Sequence, residues 1–176
     1  MKPVGPLMRE HRLIEQMLEV VRRQVAAIKE GKAVDPCLVL KVVDFFRTYA
    51  DRTHHGKEED ILFRKLEAKE MAEEHLVIMV ELKNEHRQAR SIVGRLNEAA
   101  GRYTKSDSAG RRIISGCLKE ILALYPSHIE KEDKRFFYPI LDYFTADELD
   151  KMLDEFWEFD RIMIHEKYQK LVEETG

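Results

Sequence analysis

The residues that could do chemistry are two spaced pairs and two single histidines. His54-x-x-x-Glu58 and His128-x-x-x-Glu132 each set an imidazole four residues before a carboxylate. Residues at i and i+4 share one face of a helix, so each pair presents nitrogen and oxygen together. His11 and His86 stand alone on other segments. Four imidazoles and two carboxylates are more than one zinc ion needs. They suit two ions, each with two histidines, with both glutamates bridging. Mixed nitrogen and carboxylate ligation with open positions suits iron first and manganese second. Calcium and magnesium prefer all-oxygen sites.

These side chains need elements to carry them, and punctuation divides the chain into five helical stretches. Gly5-Pro6 opens the first, which runs to about Lys29 and stops near Gly31. Asp35-Pro36 opens the second, with Asp as cap and Pro at the first helical position, and it runs to about Leu66. The third spans about Glu74 to Tyr103. Ser106-Asp107-Ser108 caps a fourth, to about Tyr143. Thr145 and Glu148 form a capping box that starts a fifth, to about Val172. No long repeat stands out.

The apolar stripe of the first helix is Leu7, His11, Ile14, Leu18, Val21, Val25, Ile28. That of the third is Met79, Leu82, His86, Ala89, Val93, Leu96, Ala100. Both alternate steps of three and four, the seam of helices crossing at about 20° in a bundle. The fourth carries Ile114, Leu118, Ile121, Tyr125, His128, Glu132, and the second, less regularly, Val39, Val43, Phe46, Ala50, His54, Glu58, Ile61. Short connections favour antiparallel neighbours. The expected fold is all-α: an up-down-up-down four-helix bundle over about 7–143, with an additional C-terminal helix over about 145–172, in one domain spanning 1–176.

Each stripe holds a histidine where an aliphatic residue belongs, and two also hold a glutamate. A buried glutamate costs several kcal/mol unless it is paired or metal-bound. Distances along the helices test whether the six meet. His11 and His54 lie about 21 and 22 residues from the connection near residue 32, which is equal height in an antiparallel pair. The same reasoning brings His86, His128 and the two glutamates to within one or two turns of that height. The six therefore fall on one layer inside the bundle.

Composition excludes several other classes. The net charge of −3 and the pI of about 6.2 argue against a nucleic-acid binder with a basic face. No apolar run approaches a membrane span, and the first residues lack a signal peptide's apolar stretch. Cys37 and Cys117 form no Cys-x-x-Cys, so a disulfide scaffold is not expected and a cytoplasmic location is. Both are read as inert core thiols.

The chain resembles the hemerythrin-like HHE cation-binding family. The matching segments are Arg9-Glu10-His11-Arg12-Leu13-Ile14, His54-His55-Gly56-Lys57-Glu58-Glu59-Asp60-Ile61-Leu62-Phe63, Asn84-Glu85-His86 and His128-Ile129-Glu130-Lys131-Glu132-Asp133, with Phe136-Phe137-Tyr138-Pro139 where the family has a short Phe-Pro ending. The resemblance implies a four-helix bundle holding two iron ions, oxo- or hydroxo-bridged, with manganese or zinc less favoured. It implies the ligand set His11, His54, Glu58, His86, His128 and Glu132, and a function in handling or sensing oxygen, nitric oxide or peroxide.

Two departures from the oxygen-carrying members matter. Those carry a second histidine on the third helix at i+4 or i−4 from the first, whereas His86 has Leu82 and Arg90 there. They also use His-x-x-x-x-Asp on the last ligand helix, where this chain has His-x-x-x-Glu. With one imidazole fewer, a further position is open or filled by another group, which favours reactive or sensing chemistry over reversible oxygen storage. The alternatives are a metal- or redox-dependent interaction module and a di-iron oxidoreductase; whether the chain is an enzyme stays open.

The remaining histidines get blander readings. His55 and Glu59 are also spaced i, i+4, but the stripe favours His54 and Glu58; His55 is expected at a helix boundary or in solvent, near the ligands at most. His165 is expected on the surface or behind the ligands, and His75 is structural. Tyr125 is expected to pack in the core. Glu10, Glu59 and Asp133 are candidates for orienting imidazoles. Phe136, Phe137, Phe156, Trp157 and Phe159 are expected to pack helix five on helix four, and could also line a homodimer face.

Overall fold

A computed structural model describes the backbone of residues 2–104 and 107–175 and the side chains among these as far as Met163. Five helices account for it. Helix α1 is Val4–Lys29; α2 covers 36–66; α3 is Glu73–Arg102; α4 covers 108–136; α5 is Ala146–Thr175. A 3₁₀ turn, Pro139–Tyr143, joins α4 to α5. There is no strand among the described residues, and none of their helices is long and apolar enough to cross a membrane.

The helix ends follow the punctuation. Gly31, at φ 90°, adopts the left-handed conformation that ends α1 and turns the chain. The Asp35 carboxylate caps α2, accepting from the amides of Cys37 and Leu38 at 3.0 and 3.2 Å. Asp107 caps α4 through the Gly110 amide at 2.8 Å. At α5 the Glu148 carboxylate accepts from the Thr145 amide at 2.8 Å, while the Glu148 amide donates to the Thr145 hydroxyl at 3.3 Å.

Helices α2 and α4 are not α-helical throughout. In α2 the segments Phe46–His55 and Glu58–Phe63 are π-helical, and α4 becomes π-helical over Glu132–Phe136. The Thr53 hydroxyl donates to the Thr48 carbonyl, five residues back, at 2.9 Å. Widened turns of this kind cluster at functional sites, because they re-aim side chains.

The apolar interior has two compartments. One gathers Ile14, Leu18, Val43, Ala50, Ala89, Leu118 and Tyr125. The other gathers Leu7, Ile61, Leu82, Phe136, Phe137 and Phe156. Between them lies a polar layer: His11 follows Leu7 and precedes Ile14, His86 sits between Leu82 and Ala89, and His54 and Glu58 sit between Ala50 and Ile61. Hydrocarbon closes this layer from both ends.

Two expectations change. Helix α5 packs on the π-helical stretches of α2 rather than mainly on α4, and Trp157 is half-exposed. Cys37 is exposed at the start of α2, while Cys117 is buried as expected. Cys37 is the second residue of α2, ahead of the first core position, Val39.

Candidate metal centre

All six expected ligands meet in the polar layer, and none is more than 3% exposed. They fall into two groups of potential metal donors, each with its atoms within 4.8 Å of one another: His11, His54, Glu58 and Glu132, and His55, Glu58, His86 and His128. Glu58 is shared. Its Oε1 lies 3.5 Å from His54 Nε2 and its Oε2 lies 3.3 Å from His86 Nε2. Glu132 reaches both groups likewise, with Oε2 at 3.0 Å from His11 Nε2 and Oε1 at 3.3 Å from His128 Nε2.

His55 is the residue that sequence reasoning placed wrongly. It is 1% exposed, and its ring stacks on His86 at 3.8 Å between centroids. The π-helical backbone is the cause. On an α-helix, neighbouring residues diverge too far for His54 and His55 to face one seam. The wider turn brings His55 onto the face of Ala50, five residues earlier, while His54 keeps its place.

Every one of these five rings is tied from behind. Nδ1 of His11 lies 2.7 Å from Asp133, that of His54 2.9 Å from Glu10, that of His86 2.6 Å from Glu59, and that of His128 2.8 Å from Glu85. His55 Nδ1 lies 3.2 Å from Asp51. An ionised carboxylate only accepts, so each Nδ1 carries a hydrogen and each Nε2 faces inward, free to take a proton or a metal. Glu10, Glu59 and Asp133 thus stand where expected; Asp51 and Glu85 complete the set. Glu85, beside His86 in the sequence, was readable as the counterpart of Glu10 beside His11.

Cations hold the carboxylates in turn. Arg12 bonds Asp133, and Lys57 bonds Glu10. Arg90 joins Asp51 and Glu59 at 2.7 and 2.8 Å. Lys131 bonds Glu85 at 2.7 Å. The imidazoles are therefore fixed in tautomer and rotation, as metal-binding histidines are.

The inner face is crowded with acceptors. Both oxygens of Glu58 and Glu132 and the Nε2 atoms of His86 and His128 are buried without a hydrogen-bond partner. Such a cluster is costly unless positive charge enters it. Without metal, protons supply it. Burial opposes a charge on His11, but Asp133 and Glu132 prevail and push its imidazole up to about 10. Burial likewise opposes a charge on His86, and Glu58 and Glu59 push it up to about 9. His55 is held well below the ordinary range by burial, and by the charges of His86 and His128. Donor type, orphaned acceptors and rigid tautomers all fit a pair of transition-metal ions.

A short repeat underlies the arrangement. Glu10-His11-Arg12 recurs as Glu85-His86-Arg87, and His54…Lys57-Glu58-Glu59 recurs as His128…Lys131-Glu132-Asp133. The contacts recur with it. Glu10 bonds His54 as Glu85 bonds His128, and Asp133 bonds His11 as Glu59 bonds His86. The α1–α2 and α3–α4 hairpins thus carry two versions of one half-site.

The other expected residues lie outside the cluster. His75 pairs with the Tyr143 hydroxyl at 2.7 Å, a structural contact. Tyr125 is buried against Phe46, with its ring 6.3 Å from that of His55. The side chain of His165 lies outside the described residues.

Comparison with known proteins agrees with this geometry. The family model described as Hemerythrin HHE cation binding domain matches residues 2–141, with a second, overlapping match over 77–169. Neither curated proteins nor solved structures returned a match. With the first match alone covering most of its length, the chain belongs to the hemerythrin HHE cation-binding domain family.

Proposed function

We propose that this chain binds two iron ions and handles or senses oxygen, nitric oxide or peroxide at an open position on one of them. The observation that carries this is the set of buried, unpartnered acceptors on Glu58 and Glu132 between inward-facing imidazoles. Imidazole with bridging carboxylate favours iron; manganese fits less well, and zinc needs fewer ligands.

His11 and His54 would hold one ion, and His55, His86 and His128 the other, with Glu58 and Glu132 shared. The two positions are unequal in donors. The His11/His54 position has two imidazoles, so it is the one with room for an external ligand. When bound, the ions supply electrons and that open position. The protein supplies ligand orientation through the Nδ1 carboxylates, and a layer sealed by the two apolar compartments.

The test is elemental analysis and an optical spectrum of freshly purified protein. Two irons per chain with a near-ultraviolet charge-transfer band support the reading. One zinc, or no metal after reconstitution, overturns it.

A second reading, a metal- or redox-dependent interaction module, is favoured by the ionic link from α5 to Glu10 through Lys57. Turnover with a reductant separates a di-iron oxidoreductase from both.

A further inference from the structure

The two half-sites share the lysine–glutamate–histidine contact but differ in what else holds the lysine. On the α3–α4 side, Lys131 joins Glu85 to Glu81, which is 50% exposed. On the α1–α2 side the counterpart, Lys57, is fully buried. It is clasped between Glu10 and Asp160 of α5, whose Oδ1 lies 2.8 Å away. A lysine so placed costs several kcal/mol unless paired, so this ion triad is a demanding element to build.

A second, steric contact joins α5 to the same stretch of α2. Gly56 lies between His55 and Lys57, and a Cβ there would come within 2.7 Å of Phe159 Cζ. Helix α5 therefore touches the segment bearing His54, His55 and Glu58 both through charge and through bare backbone.

The charge path ends on one imidazole. Glu10 accepts from His54 Nδ1 at 2.9 Å, and its negative charge strengthens the Nε2 lone pair as a donor. Lys57 draws part of that charge away. Asp160 shares Lys57, and so sets how much remains on Glu10. The geometry points to Asp160 and Lys57 as positioning residues for the His11/His54 metal position, through which the docked fifth helix raises the affinity of that ion and leaves the His86/His128 ion unchanged. By linkage, filling that position favours the docked helix by the same factor. The inference rests on the two-metal reading.

The test is a cobalt(II) titration of the full chain, followed by visible absorption and calorimetry. Wild type takes up two ions. Asp160→Asn weakens one of the two binding steps by about tenfold, the lower end for residues acting on a ligand from outside, and leaves the other within twofold. Asp160→Glu, which keeps the charge, restores most of the loss. Glu81→Gln, the matched change on the other half-site, moves neither step. A wild type that binds two ions beside an indistinguishable Asp160→Asn overturns this proposal alone. Weakening of both steps together with lost helix content, seen by circular dichroism, assigns Asp160 a structural role and also overturns it. A wild type that binds no metal overturns the metal reading, and this inference with it.

Discussion

His11 and His54 point at each other: their Nε2 atoms lie 2.9 Å apart, and the far nitrogen of each ring is already committed to a carboxylate. Two lone pairs at that distance repel unless something positive sits between or beside them. In the metal-free chain a proton does so, and a metal ion would take its place on loading.

The metal-free chain therefore loses stability in alkali. His11 and His86 titrate near 10 and 9 when folded, against an ordinary value of 6.5. The folded state holds more protons than the unfolded one across that window. Their stabilisation is complete below about pH 6.5 and is lost as pH rises through the folded values, at up to about 1.4 kcal/mol per pH unit for each group. Thermal unfolding of the metal-free chain between pH 7 and 10 checks this. A melting temperature that rises over the interval contradicts it.

Loading and pH are coupled in the same sense. Ions displace the protons on His11 and His86, so zinc or iron(II) added to weakly buffered protein at pH 7 acidifies the solution. A pH electrode reads the release, and uptake without it means those imidazoles do not bind the metal.

Metal also stabilises the fold. At a free concentration about a thousandfold above its dissociation constant, an ion adds about 4 kcal/mol. For a chain of this size that raises the melting temperature by about 10 °C. Differential scanning calorimetry before and after chelation gives the number; equal melting temperatures count against a site in the core.

His55→Leu separates the two positions. It removes an imidazole from the His86/His128 position and leaves the other with its ligands. The expected result is one binding step weakened at least tenfold and the second retained. If both steps survive intact, His55 is only a packing residue stacked on His86.

Glycines give opposite signs according to what faces them. Gly94 has no atom within 4 Å of an added Cβ, so Gly94→Ala in mid-helix stabilises by about 0.5–1 kcal/mol. Gly56→Ala drives a methyl against Phe159 and loosens α5. Urea melts measure the first, and faster proteolysis within α5 the second. Equal effects from the two changes would mean that α5 is not seated on Gly56.

The helix ends were readable because each has a local chemical cause: Asp35 before Pro36, Gly31 beyond α1, and Thr145 with Glu148. The buried cluster of His11, His54, Glu58, His86, His128 and Glu132 was readable because a polar residue in a stripe of aliphatics has few explanations, and equal heights leave fewer. His55 is hidden in the sequence because α-helical steps place it off the stripe that His54 occupies. Nothing local in Phe46–His55 announces a π-helix; it arises where two adjacent histidines and Glu58 must all face inward, a tertiary demand. The seat of α5 on α2 escaped for a related reason. Lys57 reads as a surface lysine until Asp160 arrives from a helix about a hundred residues later, and only then does its burial make sense.

The duplicated half-site has a mechanical consequence. His11 and His54 come from one hairpin and His86 and His128 from the other, but His55 and both glutamates reach across: His55 stacks on His86, Glu58 lies against His86, and Glu132 against His11. Ions held there would act as rivets between the two halves. Without them, the seam between the hairpins would lose its fasteners first.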